Sequence, residues 1–284
     1  MKESEIWYTD QHTKVVRFSM KSKRQLAGIE SDYQQIDILD TYEYGRVLVL
    51  NGDLYITEKD EFIYHEMITH VPMAVHPNVR DVLVIGGCNG GTVRELTKYP
   101  DIENIDMVEA DRELVEACMQ YMPFTSSKLR RDKRVHIFYE DGLRFVRGKK
   151  SEYDLIIVDC ADPYGPAEGL FTREFYGNCF KALNDDGIFI NQHESPFYSE
   201  HRMTVQKAHK QIATAFPLSM VYECHIPSYP SGHWLFGFAS KQYHPIRDLK
   251  EDAWNKLDLK TRYYNTDLHR GCFMLPTYVK ELLN

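Results

Sequence analysis

Apolar residues follow two rhythms along this chain. Up to residue 57 they form short β-rich runs at 15–18, 33–39 and 47–50, separated by polar turns that include Asn51-Gly52. This pattern predicts a small antiparallel sheet. The segment holds few residues for a core of its own, so it is expected to pack on a larger unit or a second subunit. From Lys59 the rhythm becomes helix and strand in alternation. Phe62, His65, Glu66, Ile68, Thr69 and Val71 fall within one predicted helix. Strands are predicted at 81–86, 104–109, 135–139, 153–158 and 187–191, with helices at 91–98, 111–121 and 172–183. Two later strands, 218–226 and 233–240, have no clear helix between them and read as an antiparallel hairpin at the sheet edge. The chain is therefore read as α/β. Residues 58–284 form a mostly parallel twisted sheet with helices on both faces, and residues 1–57 form an N-terminal β domain.

The first strand of the larger unit runs straight into Gly86-Gly87-Cys88-Asn89-Gly90-Gly91. Glycines let a backbone come close to a ligand, and the helix start that follows supplies free N–H groups. Nineteen residues after Gly90 comes Glu109, at the end of the next strand. A carboxylate there can accept hydrogen bonds from ribose hydroxyls. These features imply a nucleoside cofactor. The dinucleotide fingerprint needs glycines at i, i+2 and i+5. Gly86, Cys88 and Gly91 miss the middle position; Gly87, Asn89 and Thr92 miss two. No Gly-Lys-Ser/Thr follows, which excludes a P-loop. An adenosine donor without phosphates, such as S-adenosylmethionine or a relative, fits better. Glu140-Asp141 follow the strand at 135–139, where Asp141 could accept from an adenine amino group. The alternative is a solvated turn that caps the next helix.

Composition narrows the partners. With a net charge of −8 over 284 residues, the chain lacks the basic balance of a nucleic-acid binder and favours cationic ligands. The N-terminus has no signal-peptide core, and no run approaches the roughly 20 apolar residues of a membrane span. A cytoplasmic protein without a membrane partner is expected. The six cysteines form no Cys-x-x-Cys and read as reduced thiols, and the twelve histidines show no metal-ligand spacing.

The strand at 153–158 ends in Asp159, with Asp162 three residues on in a loop stiffened by Pro163 and Pro166. Two carboxylates there, with Asp141 nearby, make a negative pocket that needs cations to neutralise it. A metal is one neutraliser and an organic polycation another. Taken singly, Asp159 could also cap the next segment and Asp162 could start a turn.

At this point the residues resemble the polyamine aminopropyltransferases, the spermidine synthase family. The resemblance rests on Trp7-Tyr8-Thr9, Tyr33-Gln34, Thr57 through Met67, the glycine loop, Val108-Glu109 and Glu140-Asp141-Gly142. It continues through 158–167, Gln192, the run Pro227 to Gly232, Trp234, Arg262 to Asn265 and Leu275-Pro276. It spans nearly the whole chain. It implies a methyltransferase-like Rossmann domain behind the N-terminal β domain, assembled as a homodimer or homotetramer. It implies transfer of a 3-aminopropyl group from decarboxylated S-adenosylmethionine to putrescine or a similar diamine, with release of 5′-methylthioadenosine. No metal or prosthetic group is implied. By resemblance, Asp159 accepts the proton of the attacking amine and Tyr64 lies beside its nitrogen. Asp162, Gln192 and Tyr229 hold the diamine, and Trp7 and Trp234 line its methylene chain. For both tryptophans the plain alternative is core or interface packing. Gln34, His65, Gly86, Gly87, Asn89, Gly90, Glu109, Glu140 and Asp141 fall on the donor side.

The loop departs from the family's usual Gly-Gly-Gly-Asp-Gly-Gly at Cys88 and Asn89. Neutral drift is one reading. The other is a changed donor, because Asn89 removes a negative charge that would attract an amine and repel a carboxylate. Intact S-adenosylmethionine would then be accepted, giving a carboxyaminopropyl product. A small-molecule methyltransferase would use the same fold and cofactor. Against it stands the Asp159–Asp162 pair with Tyr229, since methyl transfer needs no diamine channel. A non-catalytic polyamine- or nucleoside-binding protein is the third class.

Overall fold

The computed structural model describes residues 5–160 and 169–284. The N-terminal strands β1 (Ile6–Asp10), β2 (Phe18–Glu30), β3 (Gln35–Thr41), β4 (Arg46–Leu50) and β5 (Asp53–Thr57) pair in chain order. Every pairing among them is antiparallel. Asn51 (φ 53°) and Gly52 (φ 92°) take the left-handed conformations that a two-residue hairpin requires. The period-2 pattern splits β4 between two faces. Leu48 and Leu50 join Ile36, Ile38 and Ile56 in a core shared with helix α1 (Glu61–Met73), whereas Val47 and Val49 form a small outer cluster with Met20. The sheet thus borrows its core from the larger unit.

Two details differ from the sequence reading. Val15 and Val16 are not in a strand. The Thr13 hydroxyl accepts from both of their backbone N–H groups, at 3.3 and 3.0 Å, and this local turn replaces a ladder. β1, β5 and all of β2 beyond Phe18 were not anticipated, although Asn51-Gly52 is the kind of turn that announces a strand on each side.

The larger sheet comprises β6 (Asp81–Gly86), β7 (Asn104–Val108), β8 (Val135–Phe138), β9 (Tyr153–Asp159), β10 (Leu183–Glu194), β11 (Leu218–His225) and β12 (His233–Ser240). Its order is β11-β12-β10-β9-β6-β7-β8. The pairings from β8 to β10 are parallel, and the β11–β12 hairpin adds to β10 antiparallel, as its missing crossover helix predicted. Alternate residues of the central strands feed opposite faces. Val82, Val84, Leu155 and Ile157 pack with α1, α2 (Gly91–Leu96) and α3 (Arg112–Tyr121). Leu83, Ile85, Ile156 and Val158 pack with α5 (Gly142–Arg147), α6 (Arg173–Ala182) and α7 (Ser199–Ala215). The expected mostly parallel sheet with helices on both faces is the one observed. The short α4 (Pro123–Ser126) follows α3, and α8 (Glu251–Lys256), α9 (Thr266–Gly271) and α10 (Thr277–Leu283) close the chain. None of the described helices is long and apolar enough to cross a membrane.

From β6 the chain steps out to β7 and β8, then returns to place β9 on the other side of β6. Ligands in such sheets bind where the strand order reverses, at the carboxyl ends. Here that point lies between Gly86 and Asp159, which are register partners.

Candidate active site

A cavity of about 460 Å³ opens over the carboxyl ends of β6, β7, β9 and β10 and is closed on one side by β4 and β5. Its floor is the glycine turn. Gly86 has φ +85°, and a Cβ there would lie 2.2 Å from the Asp159 carbonyl oxygen. The Gly87 N–H donates to that same oxygen at 2.6 Å, so the turn is tied to β9. Gly91 is pinned from below, since a Cβ on it would lie 2.2 Å from the His65 ring. His65 is fully buried against Glu61. The two oxygens of Glu61 also accept from Arg94 Nη1 and Nη2, at 2.8 and 3.0 Å. Burial pushes the Glu61 carboxyl up, but His65 and Arg94 outweigh it and leave the group below its ordinary value. This charge-assisted cluster locks α1 to α2 and so holds the turn. His65 does not line the cavity; it supports the donor side from beneath.

At one end of the cavity, Glu109 is half-buried and accepts from the Asp111 N–H at 3.1 Å. Desolvation raises its carboxyl to about 7, despite the hydrogen bonds from Asp111 and Ala110. Gln34 lines the same end, with its Nε2 donating to Asp111 at 3.0 Å. Asp141 also faces the cavity while capping α5, its Oδ1 accepting from Arg144 N at 2.7 Å. The capping reading of Asp141 is thus the one observed, and the same residue borders the cavity. Glu140 does not reach the cavity and is exposed.

In the middle stands Asp159, 1% exposed, whose Oδ2 accepts from Thr92 Oγ1 at 2.6 Å. Tyr64, on α1, faces it. Burial first, then the negative charge of Asp159, raises the Tyr64 phenol well above its usual value, so it stays a donor. Gln192 donates through Nε2 to the Cys160 carbonyl. Tyr229 donates to the Tyr55 carbonyl at 2.9 Å and meets the Trp234 ring edge-on, with centroids 4.6 Å apart. Trp234 thus lines the cavity. Trp7 does not. It lies 55% exposed on β1 with its indole N–H on Glu5, because alternation along that strand turns it away from the cleft. Asp162 lies outside the described residues.

Sequence reasoning missed several residues. Asp60 is buried and holds the Tyr229 loop, with one oxygen accepting from Ser228 N at 2.8 Å and the other from Ser228 Oγ at 2.9 Å and Thr57 Oγ1 at 2.6 Å. The partners are 168 residues apart, beyond any local signal. Asp10, Asp53, Glu194 and Glu200 also face the cavity, with His12 and His201. Glu194 follows a bulge at Gln192 and has φ +83°, which no residue pattern announces. Among the described residues, no lysine or arginine lines the cavity. A polyamine is the kind of guest this charge pattern accepts. Among the described residues, one metal-like convergence is found, His76, Asp154 and Asp186, and it lies outside this cavity. There Asn78 N donates to His76 Nδ1, which places the imidazole proton on Nε2, facing Asp186 at 3.6 Å.

Residues 61–251 match the spermine/spermidine synthase domain. The chain belongs to the spermine/spermidine synthase family. Residues 6–58 match the spermidine synthase tetramerisation domain, which supports an oligomeric protein. A polyamine aminopropyltransferase of Lachnoclostridium phytofermentans is 74% identical over 98% of both chains. Another, from Alkaliphilus oremlandii, is 62% identical over the same shares. A solved spermidine synthase in complex with the transition-state analogue AdoDATO superposes with a TM-score of 0.96 at 40% identity, covering 99% of this chain and 96% of that one. The spermidine synthase of Thermotoga maritima gives 0.94, also at 40% identity. The chain is an enzyme of this family, an aminopropyl transferase.

Proposed function

We propose that the chain joins the aminopropyl group of decarboxylated S-adenosylmethionine to putrescine, and that Asp159 accepts the proton. The observation that carries this reading is a buried carboxylate at the strand reversal, between the end lined by Gln34 and Glu109 and an acidic end that no described lysine or arginine lines. A diamine arrives protonated, because aliphatic amines have a pKa near 10. Asp159 takes one proton, and the freed lone pair attacks the methylene beside the sulfonium. The C–S bond breaks, and its electron pair leaves with 5′-methylthioadenosine. Tyr64, kept protonated, orients the nitrogen. Gln192, Tyr229 and Trp234 hold the amine chain, and Asp162 is proposed to bind with them. Glu109 and Asp141 hold the ribose and adenine, with Gln34 and the glycine turn beside them. Holding both reactants in line supplies much of the acceleration.

We further propose that residues 1–57 carry assembly into a homotetramer and residues 58–284 carry catalysis. Trp7 and Ile6, both more than half exposed on β1, suit the assembly face. The cysteines, all free thiols, suit a cytoplasmic enzyme. The deciding experiment mixes the protein with putrescine and, in separate reactions, the decarboxylated or the intact donor. Methylthioadenosine and spermidine support the reading, whereas S-adenosylhomocysteine from the intact donor would replace it with methyl transfer.

Glu109 gives this reading a pH signature. A ribose hydroxyl donates better to a carboxylate than to a carboxylic acid, so nucleoside binding draws on the ionised form. With the carboxyl raised to about 7, methylthioadenosine should bind about tenfold more weakly at pH 6 than at pH 8. Calorimetric titration checks this. In Glu109→Gln the affinity should be low and flat with pH; an equally flat profile in the unaltered protein would refute the assignment.

A further inference from the structure

The glycine turn contains one polar group that aminopropyl transfer leaves unused. Asn89 is 1% exposed and lines the cavity on the donor side. Its Oδ1 accepts from Gly91 N at 2.8 Å. A backbone N–H can only donate, so this bond decides which way the amide points. The Nδ2 end is left over, buried and without a hydrogen-bond partner. An unmet buried donor is costly and calls for an acceptor oxygen. Beyond its sulfur, the decarboxylated donor ends in an ammonium, which offers none. Intact S-adenosylmethionine carries a carboxylate on the carbon that bears that nitrogen.

We propose that this site also accepts intact S-adenosylmethionine, with its carboxylate on Asn89 Nδ2, and transfers the 3-amino-3-carboxypropyl group to the diamine. The inference rests on the aminopropyl-transfer reading, because it uses the same base and the same electrophilic methylene. The amine nitrogen forms a bond to the carbon beside sulfur, and the C–S bond breaks. The sulfur keeps the electron pair in methylthioadenosine, and the ammonium proton goes to Asp159. Glu109 and Asp159 disfavour a carboxylate, but the neighbouring ammonium makes the incoming side chain neutral overall. Asn89 supplies the polarity that this zwitterion needs and a simple cation does not.

The test offers the full-length protein putrescine with either donor and identifies products by mass. A carboxylated triamine with methylthioadenosine is expected from the intact donor. Asn89→Asp keeps an oxygen for Gly91 but turns a donor into a charge. It should shift the kcat/KM ratio by at least about tenfold toward the decarboxylated donor, in line with one charge contact. Asn89→Ala removes the donor without adding charge and should weaken calorimetric binding of intact S-adenosylmethionine by a smaller factor. The inference is overturned if only the decarboxylated donor turns over, or if both variants leave the ratio and the affinity unchanged. Silence with both donors would instead overturn the aminopropyl reading, and this inference with it.

Discussion

Asp159→Asn is expected to lower kcat/KM for aminopropyl transfer by about 10³-fold at pH 7, within the range of a lost general base. The substitution is sterically mild. The asparagine oxygen can still accept from Thr92 Oγ1, which now bonds Asp159 at 2.6 Å, so the fold and the donor end should survive. What disappears is the carboxylate that, in the proposed mechanism, takes the proton of the incoming amine. The deficit should therefore shrink as pH rises toward the amine's own pKa of about 10, because solvent then delivers the free base. The measurement is methylthioadenosine release against pH for both proteins, alongside their melting temperatures. A deficit under about tenfold at pH 7, or one that is constant with pH, would show that Asp159 only positions the amine.

The largest stability effect is expected at Glu66, which takes no part in the chemistry. Its carboxylate is 2% exposed and accepts from three successive backbone N–H groups: Arg262 at 2.9 Å, Tyr263 at 2.8 Å and Tyr264 at 2.9 Å. These bonds nail the C-terminal segment to α1, on the same helix that carries Tyr64 and His65. Tyr263 in turn accepts from His225 N at 3.1 Å, at the end of β11. Glu66→Ala leaves three donors without an acceptor. Hydrogen bonds to a charged group are worth about 1.5–3 kcal/mol each, so with incomplete additivity the loss should be about 4–6 kcal/mol. For a chain of this size that corresponds to a melting point roughly 10–20 °C lower. Glu66→Gln retains one acceptor oxygen and should fall in between. Denaturant unfolding decides the matter, and a loss below about 1 kcal/mol for the alanine variant would mean that the loop finds other partners.

The two cases differ in how far they could be read from residues alone. Asp159 was visible because a buried apolar run ended in a carboxylate, at the place where α/β sheets bind ligands. Glu109 was visible by its distance from the glycine turn. In both, the signal is local: a strand fixes where its last residue points. Glu66 and Asp60 were not visible as anchors. Their partners lie nearly 200 and 168 residues away, and a carboxylate that meets distant N–H groups looks like any other helical or turn acid. Trp7 shows the opposite error. The family resemblance implied a pocket wall, but the strand turns it outward, where the plainer reading of interface packing had placed it.

By itself, the sequence determined the alternation of strands and helices in the larger unit as far as β10, the parallel centre with its antiparallel edge, and the glycine turn at the strand ends. It could do so because periodicity, turn chemistry and strand-end position are set within a few residues. Only the tertiary structure decided which acids share one cavity, that the N-terminal sheet closes its side, and that Asn89 leaves its amide nitrogen rather than its oxygen without a partner. Those facts depend on groups far apart in the chain competing for the same hydrogen bonds, and no local pattern records the outcome.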